Sequence, residues 1–566
     1  MNKILFMFSF LIINHFHSRS DELVDILSEE LQRNFDGLTN ESRPPYYIAY
    51  GLTNVHSANI VSTGGKILRS IDTEQRILDI DLRVGSYDFD NTHIIRGQSF
   101  SFGSPYGAVV LPLENIKEAI AQKIWLATDR EYKTAIERYE KALSNKAVKI
   151  KEDDLSGDLT HEKAIVNISE EQYELNLDKS KWEDKLNQLS NKFSEHPWIL
   201  SAQVSLSVEN KTKYFVGTDG TKLKWTETAA RIMVYAKTKA DDGMSLPLYN
   251  SYFAFSAENL PNVSKISKDI DSLILTLDKL RSSPIAETYS GPAILSGEAA
   301  GVFFHEIFGH RVEGHREKDP NSSQMFKKMV GKDVLPDFID VVFDPTRKKL
   351  RDREISGYFP FDDQGIKSQK VVSVESGKFK SFLMSRSPIE NFPVSNGHGR
   401  RQQGRKAVSR QSNLIVETSK TVTLAELRSE LIKECKKQDK DYGLMFDVVQ
   451  GGFTFTSRTI PNAFNVMPLV VYKIFTDGRP DELVRGVDLI GTPLATFRNI
   501  MATADDLGIF NGVCGAESGG VPVSACSPSL LISNIEIQKK RKSQSKLPLL
   551  PPPPNKFPIN DEKIKN

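Results

Sequence analysis

The sequence predicts an α+β fold, with N-terminal helices packed on an antiparallel sheet and a β-rich C-terminal domain that carries a metal-site helix. Two long segments, 45–85 and 199–237, alternate in polarity and are rich in Tyr, Ile and Val, as half-buried strands are. Apolar residues at helical spacing flank and separate these segments. Several shorter β patterns follow in the second half, around one apolar helix near residue 300.

Composition narrows the class of protein. A chain of 566 residues is too long for one ordinary core. Its 74 basic and 73 acidic residues leave a formal net charge of +1, which disfavours a protein whose main partner is nucleic acid. Hydrophobic residues make up 39%, enough for packed cores, and three cysteines are too few for a disulfide scaffold.

The first half alternates helices with strands. Apolar residues recur at helical spacing in four segments: 22–34, 114–147, 180–195 and 266–280. In the second of these, we expect Ile116, Ile120, Ile124 and Trp125 on one apolar face. The strand segment 199–237 is divided by a turn at Asp219 and Gly220.

The second half opens near Pro284 and is predicted to be mostly β. Residues 368–384 indicate a hairpin that turns at Ser376 and Gly377, residues 465–485 a further pair of strands, and residues 528–537 a final strand.

The N-terminal segment raises the question of export. Lys3 precedes a ten-residue apolar run, Ile4 to Ile13. The run is shorter than the ~20 residues of a transmembrane helix, but it suits the core of a signal peptide. Ser18 and Ser20 give a small-x-small cleavage pattern; the alternative is a buried first strand. We expect no transmembrane segment in the mature chain, and a periplasmic or secreted protein if the segment is cleaved, otherwise a cytoplasmic one.

These patterns predict four regions along the chain. They are a candidate signal peptide at 1–20, an N-terminal and central α+β region at 21–285, a C-terminal domain at 286–538, and a disordered basic, Pro-rich tail at 539–566.

The motif His305-Glu306-Ile307-Phe308-Gly309-His310 carries the most chemistry. Two imidazoles beside a carboxylate suit a zinc site, in which Glu306 would take a proton from water and pass it to a leaving amine. The histidines are five residues apart, which places them about 140° apart on a regular α-helix. The helix must therefore be distorted, for example by a π-bulge eased by Gly309. The alternative is two partly exposed histidines near a helix end.

A third ligand has several candidates. His315 lies ten residues after His305, and three cysteines remain. Cys435 falls on the apolar face of a predicted helix, which indicates a core thiol. Cys514 lies in a Gly-rich loop suited to close backbone approach, whereas Cys526 is expected to be structural.

Residues 290–537 resemble the TldD/PmbA family of metallopeptidases. The resemblance rests on SGEAAGVFFHEIFGHRVEG, FDDQG, NGHGRR, YGL with the later QGG, and NGVCGAESGGVPV with SPSL. It implies that His305, His310 and Cys514 bind one Zn²⁺ per active chain and that Glu306 is the catalytic general base. His315 stands where the family more often has Asp, so a fourth ligand stays open.

The resemblance also implies partners and a reaction. Family members form dimers, so we expect a homodimer, or a heterodimer with a PmbA/TldE-like chain. The expected reaction is hydrolysis of small or unfolded peptides. Arg400 and Arg401 are candidates to grip a substrate carboxylate; the alternative is a surface or interface role.

Two other functions remain open at this point. One is a non-catalytic peptide-binding or assembly subunit that keeps a structural zinc, although such a site needs no general base at Glu306. The other is a metal-dependent hydrolase that acts on a non-peptide amide.

Overall fold

The computed structural model describes residues 21–95, 108–147, 154–170, 175–454, 456, 464–491, 493–540 and 550. The predicted signal peptide at 1–20 lies outside the described residues, as does most of the predicted tail at 539–566. No helix of the described ranges is long and apolar enough to cross a membrane.

The helices are α1 Glu22–Leu38, α2 Lys117–Ala147, α3 Lys179–Asn191, α4 Val263–Ser282, α5 Gly297–Ile307, α6 His315–Lys318, α7 Leu424–Lys437 and α8 Pro493–Arg498. The four helical segments predicted in the first half, the motif helix and the helix that holds Cys435 are present, and two short helices, α6 and α8, were not predicted. Side chains cap several of them: Asp21 accepts from the first turn of α1, and Thr423 and Glu426 form a capping box on α7.

The strands of the first half are β1 Pro45–Thr63, β2 Lys66–Val84, β3 Val109–Leu111, β4 Val166–Ile168, β5 Ser201–Gly217, β6 Lys222–Lys239 and β7 Ser245–Ala254. They form one sheet in the order β3-β2-β1-β5-β6-β4, with β7 also paired to β6. All pairs are antiparallel except β4 with β6. One apolar core joins this sheet to α1 and α2, and another joins it to α3 and α4.

One predicted helix face is narrower than expected. Ile120 and Ile124 of α2 are fully buried, but Ile116 and Trp125 are about half exposed. Ile116 precedes the first residue of α2, and Trp125 is rotated about 100° from Ile124 around the helix. The core-facing stripe therefore excludes Trp125.

The strands of the second half are β8 Tyr289–Leu295, β9 Ile339–Phe343, β10 Lys349–Leu350, β11 Arg353–Glu354, β12 Val371–Glu375, β13 Lys378–Phe379, β14 Gly399–Arg400, β15 Val408–Ser409, β16 Asn413–Thr418, β17 Thr421–Val422, β18 Tyr442–Thr454, β19 Phe464–Phe475, β20 Glu482–Val484, β21 Val487–Gly491, β22 Ile500–Ala504, β23 Gly508–Ala516, β24 Gly519–Ser527 and β25 Leu530–Lys539.

Two larger sheets dominate this half. One has the order β17-β22-β25-β21-β19-β18-β8, and an additional pairing of β25 with β8 closes a ring. The other has the order β13-β12-β9-β16-β24-β23. The predicted α+β fold, with a β-rich C-terminal half, is confirmed.

Helix α5 packs between the two sheets. Its N-cap Ser296 donates through Oγ to the carbonyl of Asp447 in β18, at 2.7 Å. On its other side, α5 meets β24 with no side chain between them: a Cβ added at Gly301 would lie 2.6 Å from the carbonyl oxygen of Ala525. Backbone contact thus sets the distance between this helix and the β23–β24 hairpin.

Ion pairs that are largely shielded from solvent join the two halves. The ammonium of Lys213 in β5 lies 3.0 Å from carboxylate oxygens of both Glu227 and Asp363. The fully buried Arg386 donates to Asp219 at 2.9 Å and to the hydroxyl of Tyr47 at 2.8 Å. These contacts hold the first sheet against the C-terminal half.

Candidate metal centre

The two histidines of the motif lie on either side of a break in the helix. Helix α5 ends at Ile307, its C-cap Phe308 has φ −106° and ψ −54°, and a 3₁₀ turn follows at Gly309–Arg311. His305 is in the last turn of α5 and His310 is in the 3₁₀ turn. The predicted distortion is confirmed, but it is a tighter 3₁₀ turn rather than the suggested π-bulge.

Gly309 is needed at this break because of a close approach. A Cβ there would lie 1.9 Å from Oε1 of Gln411. Gln411 is fully buried and donates from Nε2 to the carbonyl of His305 at 3.2 Å. The glycine therefore lets a buried amide hold the end of α5.

The break brings both imidazoles to Cys514. The ring centroids of His305 and His310 are 5.0 Å apart with planes at 77°. Sγ of Cys514 lies 3.4 Å from Nε2 of His310, although 204 residues separate them in sequence. Ligand atoms of the three residues all lie within 4.8 Å of one another, and all three residues are buried.

This donor set fits a zinc ion. Two imidazole nitrogens and a thiolate are ligands that Zn²⁺ prefers, and three protein ligands leave a position open in a catalytic site. Nδ1 of His305 is buried without a hydrogen-bond partner among the described residues. Unlike the partly exposed histidines of the alternative interpretation, His305 and His310 are buried.

The electrostatics favour a charged sulfur. Burial alone would raise the pKa of Cys514, but His310 and His305 hold it well below its ordinary value. Burial lowers the pKa of His310, yet the Cys514 thiolate and Glu313 raise it well above the usual range. Both directions favour a thiolate beside a protonated imidazole in the metal-free protein.

Glu306 lies beside the three-residue cluster without belonging to it. Its Oε2 is 3.9 Å from Nε2 of His310. Burial raises the pKa of Glu306, and the two histidines only partly offset this. The QGG motif packs directly on it, since a Cβ at Gly452 would lie 2.6 Å from Cγ of Glu306. The carboxyl group is thus held in a site where it can take up a proton.

Sequence reasoning missed two charged residues behind the cluster, Glu313 and Arg410. Both are fully buried. Glu313 accepts from Nδ1 of His310 at 3.3 Å, and Arg410 donates to the carbonyl of Cys514 at 2.6 Å. A charged residue three positions after a candidate ligand histidine, at Glu313, was the available signal; for Arg410 the sequence offers none.

His315 lies outside the cluster. Among the described residues, the cluster of candidate ligands consists of His305, His310 and Cys514. Nε2 of His315 instead forms a short hydrogen bond with Oε1 of Glu517, in the turn between β23 and β24. Arg316 donates to the other oxygen of Glu517 at 3.0 Å.

The remaining candidates are placed as follows. Arg400 is buried, donates to the carbonyls of Gln411 and Pro522, and lies over the ring of Phe359 at 4.4 Å. Nη2 of Arg401 is 3.4 Å from Asp79. Neither joins the cluster, and their substrate-binding role stays a prediction.

Cys435 and Cys526 are fully buried elsewhere, in separate apolar clusters.

A family model and several curated proteins match parts of this chain. Residues 288–539 match the family model of the PmbA/TldA metallopeptidase C-terminal domain. A metalloprotease of Archaeoglobus fulgidus is 29% identical over 259 residues, which cover 46% of this chain and 56% of the relative. A zinc metalloprotease TldD homolog of Saccharolobus solfataricus is 26% identical over 278 residues, 48% of this chain and 57% of the relative.

A further relative gives the same extent of similarity. A metalloprotease TldD homolog of Buchnera aphidicola is 26% identical over 265 residues, 44% of this chain and 49% of the relative. The chain therefore matches about half the length of these relatives.

Solved structures extend the likeness of fold to most of the chain. TldE from Thermococcus kodakarensis superposes with a TM-score of 0.58 at 13% identity, over 92% of this chain and 100% of that one. A protein of Thermotoga maritima gives a TM-score of 0.59 at 15% identity, over 90% and 99%. The family model and the relatives agree that residues 288–539 of this chain form a C-terminal domain of the TldD/PmbA family.

Proposed function

We propose that this chain is a zinc-dependent metallopeptidase of the active, TldD-like kind, which hydrolyses small or unfolded peptides. His305, His310 and Cys514 would hold one Zn²⁺. The observation that carries the proposal is the joint burial of these three donors with a separate carboxyl group, that of Glu306, beside them. The names of the relatives, metalloprotease and zinc metalloprotease, support the same activity.

The bound ion would supply Lewis-acid polarisation of a peptide carbonyl and lower the pKa of a water. Glu306 would accept the proton of that water at its carboxylate and deliver it to the departing amine. The raised pKa of Glu306 suits both transfers, since the same group must first take up and then release the proton. Arg311 donates to the carbonyls of Glu306 and Ile307 at 2.9 and 3.0 Å, which fixes the end of the helix that presents this base.

We further propose a TldE-like chain or a second copy of this chain as the partner. The likeness of fold to TldE from Thermococcus kodakarensis supports this pairing. The same likeness favours one alternative function, a non-catalytic peptide-binding subunit with a structural zinc.

Glu306→Gln separates the two functions. The amide keeps the volume of the side chain and loses its basicity, so we expect zinc content and fold to stay while turnover falls about 10²- to 10⁴-fold. The measurement is zinc stoichiometry beside cleavage of a quenched-fluorescent peptide library. Glu434→Gln, the same change at a buried position of α7, is the matched control and should keep both properties.

Two results would contradict the proposal. Turnover of Glu306→Gln near the wild-type rate would mean that Glu306 is not the base. Loss of zinc together with turnover in that variant, but not in Glu434→Gln, would make Glu306 a ligand or a support and favour the non-catalytic subunit.

A further inference from the structure

Glu313 is a charged group that the proposed mechanism does not use. It is fully buried, yet it contacts three cationic or donor groups. Oε2 is 3.3 Å from Nδ1 of His310 and accepts from Arg316 at 2.8 and 3.0 Å. Oε1 makes an ionic contact of 3.4 Å with Nε of Arg410.

Arg410 continues this contact to the cysteine. Its Nη2 donates to the carbonyl of Cys514 at 2.6 Å. Its Nη1 donates to Oγ of Ser518 at 2.7 Å and to the carbonyl of Gly519 at 2.9 Å. One guanidinium group therefore holds both strands of the β23–β24 hairpin near its turn.

We propose that Glu313 and Arg410 form a buried bridge that positions His310 and Cys514 relative to each other before any ion binds. We call this pair the Glu313–Arg410 bridge. The inference rests on the proposed function, because it gives these residues the task of presetting the zinc ligands. Both are positioning residues: neither belongs to the cluster of donor atoms.

The histidine side of the bridge selects a tautomer. When His310 gives up one proton to bind an ion, a carboxylate that accepts from Nδ1 keeps the remaining proton on that nitrogen, which leaves Nε2 as the electron-pair donor. Nε2 is the atom of His310 that faces the sulfur, at 3.4 Å. Glu313 thus both orients the ring and directs its ligating nitrogen toward Cys514.

The cost of the bridge argues for a positional role. Removing two charges from water carries a penalty of several kcal/mol per ion, and apolar replacements of buried ion pairs are often neutral or stabilising. The contacts of the bridge instead join two segments that are distant in sequence, the turn after α5 and the β23–β24 hairpin. Arg316, which contacts both Glu313 and Glu517, adds a second link between the same segments.

The test measures zinc affinity by competition with a chromogenic chelator. Loss of a hydrogen-bond partner behind a ligand typically weakens metal binding 10- to 100-fold. We expect this loss in Glu313→Gln, and also in Arg410→Lys, which keeps the charge but removes the fork that spans the hairpin. Cobalt substitution gives a second readout, because a shifted His310 or Cys514 changes the visible absorption spectrum of bound Co²⁺.

Asp219→Asn is the matched control. It breaks another buried ion pair, with Arg386, between the two halves of the chain. It should lower the unfolding temperature and leave zinc affinity within about threefold of wild type, because no part of it contacts the cluster. An equal loss of zinc affinity in Asp219→Asn and in Glu313→Gln would contradict a specific role of the bridge in positioning the ligands.

Crystal structures of the metal-free proteins distinguish failure of this inference from failure of the proposed function. Suppose that the wild-type protein binds no zinc but keeps the 3.4 Å separation of Sγ and Nε2, and that Glu313→Gln widens this separation. This result would support the bridge and contradict the zinc proposal. A Glu313→Gln protein with wild-type separation and affinity overturns the bridge. If Glu313→Gln does not fold, zinc affinity and the Sγ–Nε2 separation of Arg410→Lys test the bridge instead.

Discussion

The three cysteines differ in their neighbours more than in their burial. Cys435 and Cys526 are fully buried, and burial raises their pKa values to about 11 and about 12. Cys514 is nearly as buried, yet two imidazoles hold its pKa well below the ordinary value. Of the three thiols, Cys514 alone is therefore suited to be a thiolate ligand.

Cys514→Ser tests this difference. A serine hydroxyl is shorter than a thiol and stays protonated, so we expect zinc content and peptide turnover to fall together. Cys435→Ser is the control: it should keep zinc and cost about 1–3 kcal/mol of stability, because it buries a hydroxyl in an apolar cluster. Zinc stoichiometry and urea unfolding of both variants give the comparison, and full zinc in Cys514→Ser would exclude the sulfur as a ligand.

At the scale of single residues, the sequence indicated the residues of the His305, His310 and Cys514 cluster better than the residues that hold them in place. His305, Glu306 and His310 were identifiable because their motif is contiguous. Cys514 was suggested by its Gly-rich loop and by resemblance, not by any spacing. Arg410 could not be found, because an arginine in the sequence gives no sign that it is fully buried against a carbonyl.

At the scale of elements, the break after α5 shows what spacing can and cannot predict. Angular arithmetic for residues five apart required a distorted helix, and the structure has one. The form of the distortion depends on a tertiary contact, the approach of Gln411 to Gly309, which no local pattern contains. For this reason the π-bulge was a reasonable expectation and the 3₁₀ turn was the outcome.

Gly309→Ala probes that contact. The added methyl group would overlap Oε1 of Gln411, whose amide holds the carbonyl of His305. We expect a loss of about 1–3 kcal/mol of stability, as overpacking in a core usually costs, together with weaker zinc binding. Thermal unfolding and chelator competition measure the two effects.

The control for this change is Gly37→Ala in α1. A Cβ at Gly37 would meet nothing within 4 Å, so the substitution should raise stability by about 0.4–1 kcal/mol and leave zinc binding alone. If Gly309→Ala behaved like Gly37→Ala, the close approach to Gln411 would have no energetic consequence.

At the scale of the whole molecule, the composition and strand patterns predicted an α+β chain, but not how its sheets are built. The pairing of β16 with β24 and of β8 with both β18 and β25 joins segments more than 100 residues apart. Register of this kind is decided by tertiary packing. The predicted domain boundaries at 285 and 538 stay predictions.

The joint between the two halves has a testable pH dependence. Lys213 lies between the partly buried carboxylates of Glu227 and Asp363, so Lys213→Met leaves them without their cation. The loss should be about 1–3 kcal/mol at pH 7, between the values typical of exposed and of buried pairs. Lys211→Met, two residues along β5 on a more exposed pair, should cost less than about 1 kcal/mol. Urea unfolding at several pH values gives both numbers.

The direction of this pH dependence follows from the pKa of Asp363. Burial alone would raise its pKa, but Lys213 and Arg401 hold it below the ordinary 3.8. A depressed carboxyl pKa contributes stability that is present above 3.8 and is lost as the pH falls through the folded-state value. The wild-type advantage over Lys213→Met should thus shrink below about pH 4. An advantage independent of pH would show that the carboxylate is not the group involved.

Because Gly301 contacts the backbone of β24 directly, substitutions at residue 301 can change the distance between α5 and β24 in one direction only. Glycine is the smallest residue, and the atom it faces is a main-chain oxygen that cannot rotate away. The distance between the helix that carries His305 and the hairpin that carries Cys514 is consequently already at its minimum. Attempts to re-engineer this centre for another ion can enlarge the gap by substitution at residue 301, but no substitution there can tighten it.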